Sequence, residues 1–408
     1  MHQLQQRWNL PWQIKAGLAQ GNLSLSDEQI AQLEILAKDS MHNPAQATEY
    51  VGYIGNIMPS RISALWDFTG PSFTLSAGEN STFKALETAQ MLLSTGEVEA
   101  VLVGAVDLAG GFENVLWRNQ LAKTNTGTNT LSYDQNANGW LVGEGAGAVV
   151  LKRLDAAQQR QDRIYAVVDA ISLVQDCPDA ETVSNFPHSP RPQTVAQACQ
   201  QAFQLAGIKS TDIGYLEVFG SGIPQQDGSE MEGLLQAYQM GEPALISCAI
   251  ASVKANIGHT YVASGIASLI KTALCLYHRY IPAVPQWSSP KLPERWQGSP
   301  FYVASDSKPW FLEQGTTTRI AAINGMGLDG TCAHLIVSEE ASQQERSSRY
   351  LEQTTFYLLA VAADDRSTLL EELQTLQHAI EDSTSLFATA SQTFATLQKR
   401  SGATYALA

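Results

Sequence analysis

Charge is scarce in this chain, and positive charge scarcer still. Charged residues make up 16% of 408 positions, with 25 Lys and Arg against 40 Asp and Glu. The net charge of −15 has no basic run to offset it. Phosphate contacts need clustered Lys and Arg, so nucleic-acid binding as the main activity is disfavoured. An acidic carrier protein would have to find a local basic patch. Cysteine is sparse too. Cys177, Cys199, Cys248, Cys275 and Cys332 are odd in number, widely spaced and set among apolar neighbours. They read as small core residues in a reducing compartment and not as a disulfide framework. No CxxC pair occurs and the seven His show no ligand spacing, so no bound metal is expected. Long apolar runs are missing as well. The opening "MHQLQQRWNLPWQIKAG" lacks the apolar core of a signal peptide. Runs such as "AVLVGAVDLAGG" are too short and glycine-rich to span a bilayer. A cytoplasmic protein without a membrane span is expected.

What is present is a large apolar fraction, 44% of residues, enough for extensive buried surface. The length suits two or three domain-sized units or one large duplicated fold. Helical and strand-like patterns alternate, which predicts an α/β architecture. Residues 1–48 read as polar helices; "SLSDEQIAQLEILAKDS" is the clearest, capped by Ser26 or Asp27, with Ile30, Leu33 and Leu36 as its stripe. "SFTL" and "EAVLVGAVDL" are predicted strands around a helix at 80–95, a unit expected to form a parallel pair. "EGAGAVVLKRL" and "IYAVVDAISLVQD" follow as strands close enough to pair antiparallel. A second, related half is predicted to start near residue 164 and to close with "RIAAINGMGLDG" and "CAHLIVSEE". Residues 338–349 are polar and aperiodic, a predicted linker to a small α/β unit over 350–408. The end at "ATYALA" reads as a fragment boundary.

The stretch "GPSFTLSAGENSTFKALETAQ" (70–90) carries the sharpest chemical question. A strand, the small residues Ser76, Ala77 and Gly78, and then a helix place Glu79 at a helix N-terminus. Free backbone N–H groups and the positive end of the helix dipole converge at such a turn. Many enzymes present a nucleophile there. A carboxylate is also comfortable there, gaining about 0.3–1 kcal/mol, so a plain helix stabiliser and a modified site both stay open. Asp227, Glu230 and Glu232 form an acidic cluster, read as a solvated loop in preference to a cation site.

"GNIMPSRISALWDFTGPSFTLSAGENSTFKALETAQ" closely resembles the nucleophile region of β-ketoacyl synthases from polyketide and fatty-acid synthases. The resemblance puts Glu79 where that family has its acyl-accepting cysteine. "YDQNANGWLVGEGAGAVVLKRL" resembles a further family segment and retains Glu144. In "YLEVFGSGIPQQDGSE", Phe219 stands where the first catalytic His belongs. "SVKANIGHTYVASGIASLIKTALCLYH" keeps Lys254 and His259, and "NGMGLDGTCAHLIV" keeps Gly325 and Gly327 of the closing motif. The five motifs stand in family order across residues 49–337. The family's opening elements are missing or replaced by residues 1–48.

The resemblance implies a thiolase-like layered α/β fold of two related halves, plus the small linker subdomain. It also implies a dismantled condensing site, in which Glu79, Phe219, Lys254 and His259 are vestigial and Glu144, Gly325 and Gly327 give structural support. Condensation needs a thiolate for the acyl chain and an imidazole pair for decarboxylation. A chain not catalytic alone is expected, a chain-length factor of a polyunsaturated fatty acid or polyketide synthase. Its partners would be an active ketosynthase or a second copy of itself, and an acyl carrier protein presenting phosphopantetheine; no cofactor of its own is implied. One alternative is a malonyl-thioester decarboxylase that supplies acetyl primer through His259. Another is a docking scaffold for a following acyltransferase, through residues 350–408. Glu79 is expected to pair with His259 or Lys254, and Lys254 alternatively with Glu144.

Overall fold

In the computed structural model of the chain, the described residues are 2–41, 54–108, 110–176, 190–238, 247–312, 317–340, 358–382, 386–399 and 405–407. Two helices open the chain, α1 (His2–Gln20) and α2 (Asp27–Met41). Ser26 caps α2 reciprocally: its Oγ accepts the Gln29 N–H at 3.2 Å, and Gln29 Oε1 accepts the Ser26 N–H at 2.9 Å. The predicted stripe stays largely outside the core, with Leu33 36% and Leu36 67% exposed. Helix α3 (Ile57–Trp66) buries none of its residues.

No strand forms over Ser72–Leu75. Thr74 is tied elsewhere, its N–H donating to Asn56 Oδ1 at 2.9 Å and its hydroxyl to the Gly55 carbonyl at 2.9 Å. The predicted parallel unit is therefore replaced by an antiparallel one. Helix α4 (Ser81–Thr95) ends on Gly96 in the left-handed region and leads into β1 (Ala100–Asp107). Helix α5 (Phe112–Leu121) then precedes β2 (Gly145–Lys152), which pairs antiparallel with β1 from Ala100↔Lys152 to Asp107↔Gly145.

The following strand, β3 (Val167–Gln175), does not pair with β2 as the sequence suggests. It joins a larger sheet. Helix α6 (Pro192–Ala206), β4 (Ile213–Glu217), helix α7 (Pro224–Tyr238) and β5 (Cys248–Ala251) build that sheet outward. A short turn of helix α8 (Lys254–Ile257) and the long helix α9 (Ser264–His278) come next. Strands β6 (Tyr280–Ile281) and β8 (Lys308–Pro309) form a small ribbon. Strands β7 (Phe301–Tyr302), β9 (Ile320–Met326) and β10 (Thr331–Ser338) complete the sheet in the order β3-β10-β9-β4-β5-β7. Its β9–β4–β5–β7 portion is parallel, while β10 runs antiparallel to both neighbours.

The layering explains the burial pattern. Helices α4 and α9 touch each other, with β1 and β2 on one side and β3 and β9 on the other, while α6 and α7 cover the outer face of the large sheet. Strands shielded on both faces read as continuous apolar runs, and β9 and β10 are buried almost end to end. The strands β1 and β2, shielded on one face, alternate instead. The four cysteines among the described residues, Cys199, Cys248, Cys275 and Cys332, are all buried; Cys177 lies outside the described residues.

The start of the predicted linker belongs to the fold. Ser338 ends β10, and buried Glu339 pairs with Arg319 at 2.9 Å and Arg279 at 3.0 Å. Residues 341–357 lie outside the described residues. Beyond them, β11 (Val361–Ala363) pairs antiparallel with β12 (Tyr405–Leu407), with helices α10 (Arg366–Asp382) and α11 (Leu386–Lys399) between them. Among the described residues, no helix is long and apolar enough to cross a membrane.

Candidate functional site

The site is assembled where the N-terminus of α4, the loop after β4, the segment around α8 and the β9–β10 turn meet. Gly78 adopts φ +54, a left-handed conformation that a side chain rarely takes, and so turns the chain sharply before α4. Ser81 fixes that turn, its hydroxyl donating to the Gly78 carbonyl at 2.6 Å and accepting the Ala77 N–H at 2.9 Å. Glu79 sits at the tip, one residue before the cap Asn80, and is only 3% exposed. Its Oε2 accepts the Leu328 N–H from the β9–β10 turn at 3.3 Å. Burial pushes its carboxyl up to about 7, against backbone hydrogen bonds and the nearby Lys254 ammonium.

Across from it, Phe219 projects from the loop after β4. That loop hangs on one buried carboxylate. Glu230 on α7 accepts the N–H groups of Phe219 at 2.6 Å and Gly220 at 2.8 Å, the Tyr133 hydroxyl at 2.6 Å and Asn324 Nδ2 at 2.6 Å. Asp227 accepts the Gly222 N–H at 3.2 Å. The acidic cluster is thus no solvated loop: Asp227 and Glu230 are buried on a helix and hold backbone, and Glu232 alone is exposed. A carboxylate out of water needs such donors, which is why loop and helix belong together.

His259 is 1% exposed, ahead of the single 3₁₀ turn that introduces α9. The Tyr261 N–H donates to its Nδ1 at 3.0 Å. The neutral ring therefore carries its proton on Nε2. Burial and the cations Lys254 and Arg118 hold its pKa well below the usual histidine value. The Phe219 and Trp140 rings meet it edge-on, centroids 5.3 and 5.6 Å away. Its backbone is fixed as well, since the carbonyl accepts Arg118 Nη1 at 3.3 Å and Asp107 clamps Arg118 through two contacts of 3.1 Å.

Lys254 is 5% exposed, and its Nζ stands 4.3 Å from the centroid of the Phe219 ring. Burial lowers its pKa to about 8, opposed by the carboxylates of Glu217, Glu230 and Asp227. The expected pairing with Glu144 does not form. Glu144 is exposed and accepts the Gly110 N–H at 2.7 Å. Nor does Glu79 pair with Lys254 or His259, because its carboxylate turns to the Leu328 amide instead. Gly325 is required by close approach, since a Cβ there would meet the buried Phe83 ring at 2.4 Å, whereas one on Gly327 would meet only the carboxylate end of exposed Asp329. A narrow cleft open to solvent lies beside Lys254 and His259, lined also by Thr130, Ser221 and Ser252.

Glu79, Phe219, Lys254 and His259, far apart in sequence, thus share one site. Two models of β-ketoacyl synthase domains match the chain, the N-terminal domain over residues 16–157 and the C-terminal domain over residues 165–287. The chain belongs to the β-ketoacyl synthase family. A polyunsaturated fatty acid synthase polypeptide of Thraustochytrium is 33% identical over 81% of this chain and 16% of its own length. A phenolphthiocerol/phthiocerol polyketide synthase polypeptide of Mycobacterium tuberculosis is 30% identical over 80% of this chain and 22% of its own. The chain therefore spans less than a quarter of these two relatives. Among solved structures, the ketosynthase from module 6 of the bacillaene synthase of Bacillus subtilis aligns with a TM-score of 0.65 at 27% identity, over 83% of this chain and 58% of that one. The structure titled PfaC Keto synthase-Chain length factor aligns with a TM-score of 0.61 at 36% identity, over 85% of this chain and 31% of that one. The thiolase-like fold is shared with these ketosynthases.

The ketosynthase N-terminal match reaches back to residue 16, into the helices that the sequence reading sets apart as 1–48. Sequence reasoning missed the Asp107–Arg118 clamp on His259 and the role of Glu230. It missed a buried relay as well: His334 meets Cys199 Sγ at 3.4 Å, Tyr238 Oη at 3.2 Å and Asn324 Oδ1 at 3.3 Å. The available signal was a polar or charged residue on otherwise apolar elements, Asp107 closing β1 and His334 inside β10.

Proposed function

We propose that this chain is a non-condensing, chain-length-factor partner in a polyunsaturated fatty acid or polyketide synthase, pairing with an active ketosynthase or with itself. Glu79 at the tip of the turn before α4 carries the reading. That is the position where the resemblance puts the acyl-accepting cysteine, and a carboxylate there cannot hold a useful thioester. Phe219 compounds the change, because a ring has no N–H to offer an oxygen that becomes charged. Losing one such donor costs about two to three powers of ten in rate. What remains is a scaffold with an intact core and a polar cleft. The acyl chain would arrive on the phosphopantetheine of an acyl carrier protein in the cytoplasm, and residues 350–408 would face a following acyltransferase. The likeness to the PfaC structure supports the pairing.

The test is reconstitution. The chain is mixed with a condensing ketosynthase and loaded carrier protein, and the complex is sized by light scattering and the products by mass spectrometry. A defined complex whose product length shifts when Glu79 or cleft residues are replaced supports the reading. Unchanged products and no association sink it.

A second reading, malonyl-thioester decarboxylation, is favoured by one observation: neutral His259 keeps an Nε2–H able to polarise a thioester carbonyl. It requires malonyl-carrier to become acetyl-carrier, and the conversion to vanish in His259→Ala. Glu79 opposes it when ionised, since like charges at short range repel a malonyl carboxylate.

A further inference from the structure

We propose that Lys254 is an acyl acceptor, its amine taking the acyl group of a thioester that enters the cleft and forming an amide. Three observations place a nucleophile there. Lys254 lines the cleft together with His259, although only 5% of the residue is exposed. Its Nζ faces an aromatic ring and makes no ion pair among the described residues, so no carboxylate sequesters the amine. His259, with Nδ1 engaged by the Tyr261 amide, carries its proton on Nε2 and lines the same cleft as a donor for a developing oxyanion.

The chemistry balances without a further reagent. Neutral Nζ attacks the thioester carbonyl carbon, forming a C–N bond and a tetrahedral oxyanion. Collapse breaks the C–S bond, and the surplus proton on nitrogen passes to the departing thiolate. The products are Nε-acyl-lysine and a free thiol. An amide is not turned over, so the reaction runs once and leaves the cleft filled. The step needs only a thioester in the cleft; it is independent of the chain-length reading and of any partner chain.

The electrostatics fit a reactive amine. Burial brings Lys254 to about 8, and the groups facing it are the carboxylates of Glu217, Glu230 and Asp227, the carboxyl of Glu79, the ammonium of Lys271 and the rings of Phe219 and His259. Near neutral pH its neutral fraction exceeds that of an unperturbed lysine by about two powers of ten.

The experiment incubates the full chain with the acetyl thioester of N-acetylcysteamine over pH 6.5–9.5 and quantifies every lysine by peptide mass spectrometry. Exposed Lys84 serves as the internal standard. The expected result is acetylation of Lys254 at least about tenfold faster than Lys84 at pH 7.5, levelling off above about pH 8, and absent in urea-unfolded chain. Lys254→Arg should remove that adduct and spare the others. Lys254 left unmodified, modified no faster than Lys84, or modified equally in urea, overturns the proposal. Because the readout is site-resolved in the unaltered chain, it stands even where the variant does not fold.

Discussion

The Lys254 ammonium lies 4.3 Å from the centre of the Phe219 ring, and the His259 ring meets the same phenyl group edge-on at 5.3 Å. One aromatic side chain thus touches both the cation and the imidazole of the site. The ring quadrupole supports the desolvated charge by about 2 kcal/mol. Leucine would fill much of the volume and offer no π face. Phe219→Leu is expected to lower stability by about 1–3 kcal/mol in urea titrations and to move the Lys254 titration further below about 8. An unchanged Lys254 midpoint would show that the ring contributes packing alone.

Glu230 gives the next test. It accepts four hydrogen bonds, two of them from the loop amides of Phe219 and Gly220. Glutamine keeps one acceptor oxygen and points an NH₂ group at donors. Glu230→Gln should cost about 3–5 kcal/mol, because buried donors lose a charged partner and some are left unpaired. Hydrogen exchange at the Gly220 amide should quicken in step. A stable variant with a protected Gly220 amide would refute the anchoring role.

The chain made much of this fold legible. Its continuous apolar runs at Ile320–Met326 and Thr331–Ser338 are strands because both faces are covered, and the Ser26–Gln29 spacing is a helix start because each side chain answers the other's amide. Pairing was not legible. β2 and β3 are neighbours in sequence, yet they lie in different sheets on opposite sides of the α4–α9 layer, β2 paired with β1 and β3 with β10, and period-two patterning carries no partner information. Ser72–Leu75 has strand composition but spends its hydrogen bonds on Gly55 and Asn56. At the site, motif order named Glu79, Phe219, Lys254 and His259. Charge clustering misled for Asp227 and Glu230, because a buried carboxylate surrounded by backbone donors looks in sequence like any acidic surface.

Asp107 and Arg118 form a buried, two-pronged ion pair that also reaches the His259 carbonyl. Asp107→Ala strands the guanidinium and should cost about 3–5 kcal/mol. Replacing both, as Asp107→Leu with Arg118→Met, should recover most of that loss, since an apolar pair removes the unpaired charge. Thermal unfolding of the two variants separates these outcomes. A double variant as unstable as the single one would mean that the pair stabilises the fold beyond its own desolvation.

Glu79 links stability to pH. Its folded-state pKa is about 7 against the ordinary 4.5, so between those values the folded chain holds a proton that the unfolded chain has released. Stability must then fall as pH rises through that window, by about 1.4 kcal/mol per pH unit, and become flat with respect to this group above it. Summed over the window the loss is on the order of 3 kcal/mol. Glu79→Gln has no proton to lose. Its side chain can still accept the Leu328 N–H. Its unfolding free energy should therefore gain on the unaltered chain by about 3 kcal/mol from pH 4.5 to pH 8. All other titrating groups are common to both proteins and cancel in the difference. Parallel stability curves across that range would mean that Glu79 titrates as it does in water, and that the carboxylate reaches solvent at the tip of the turn.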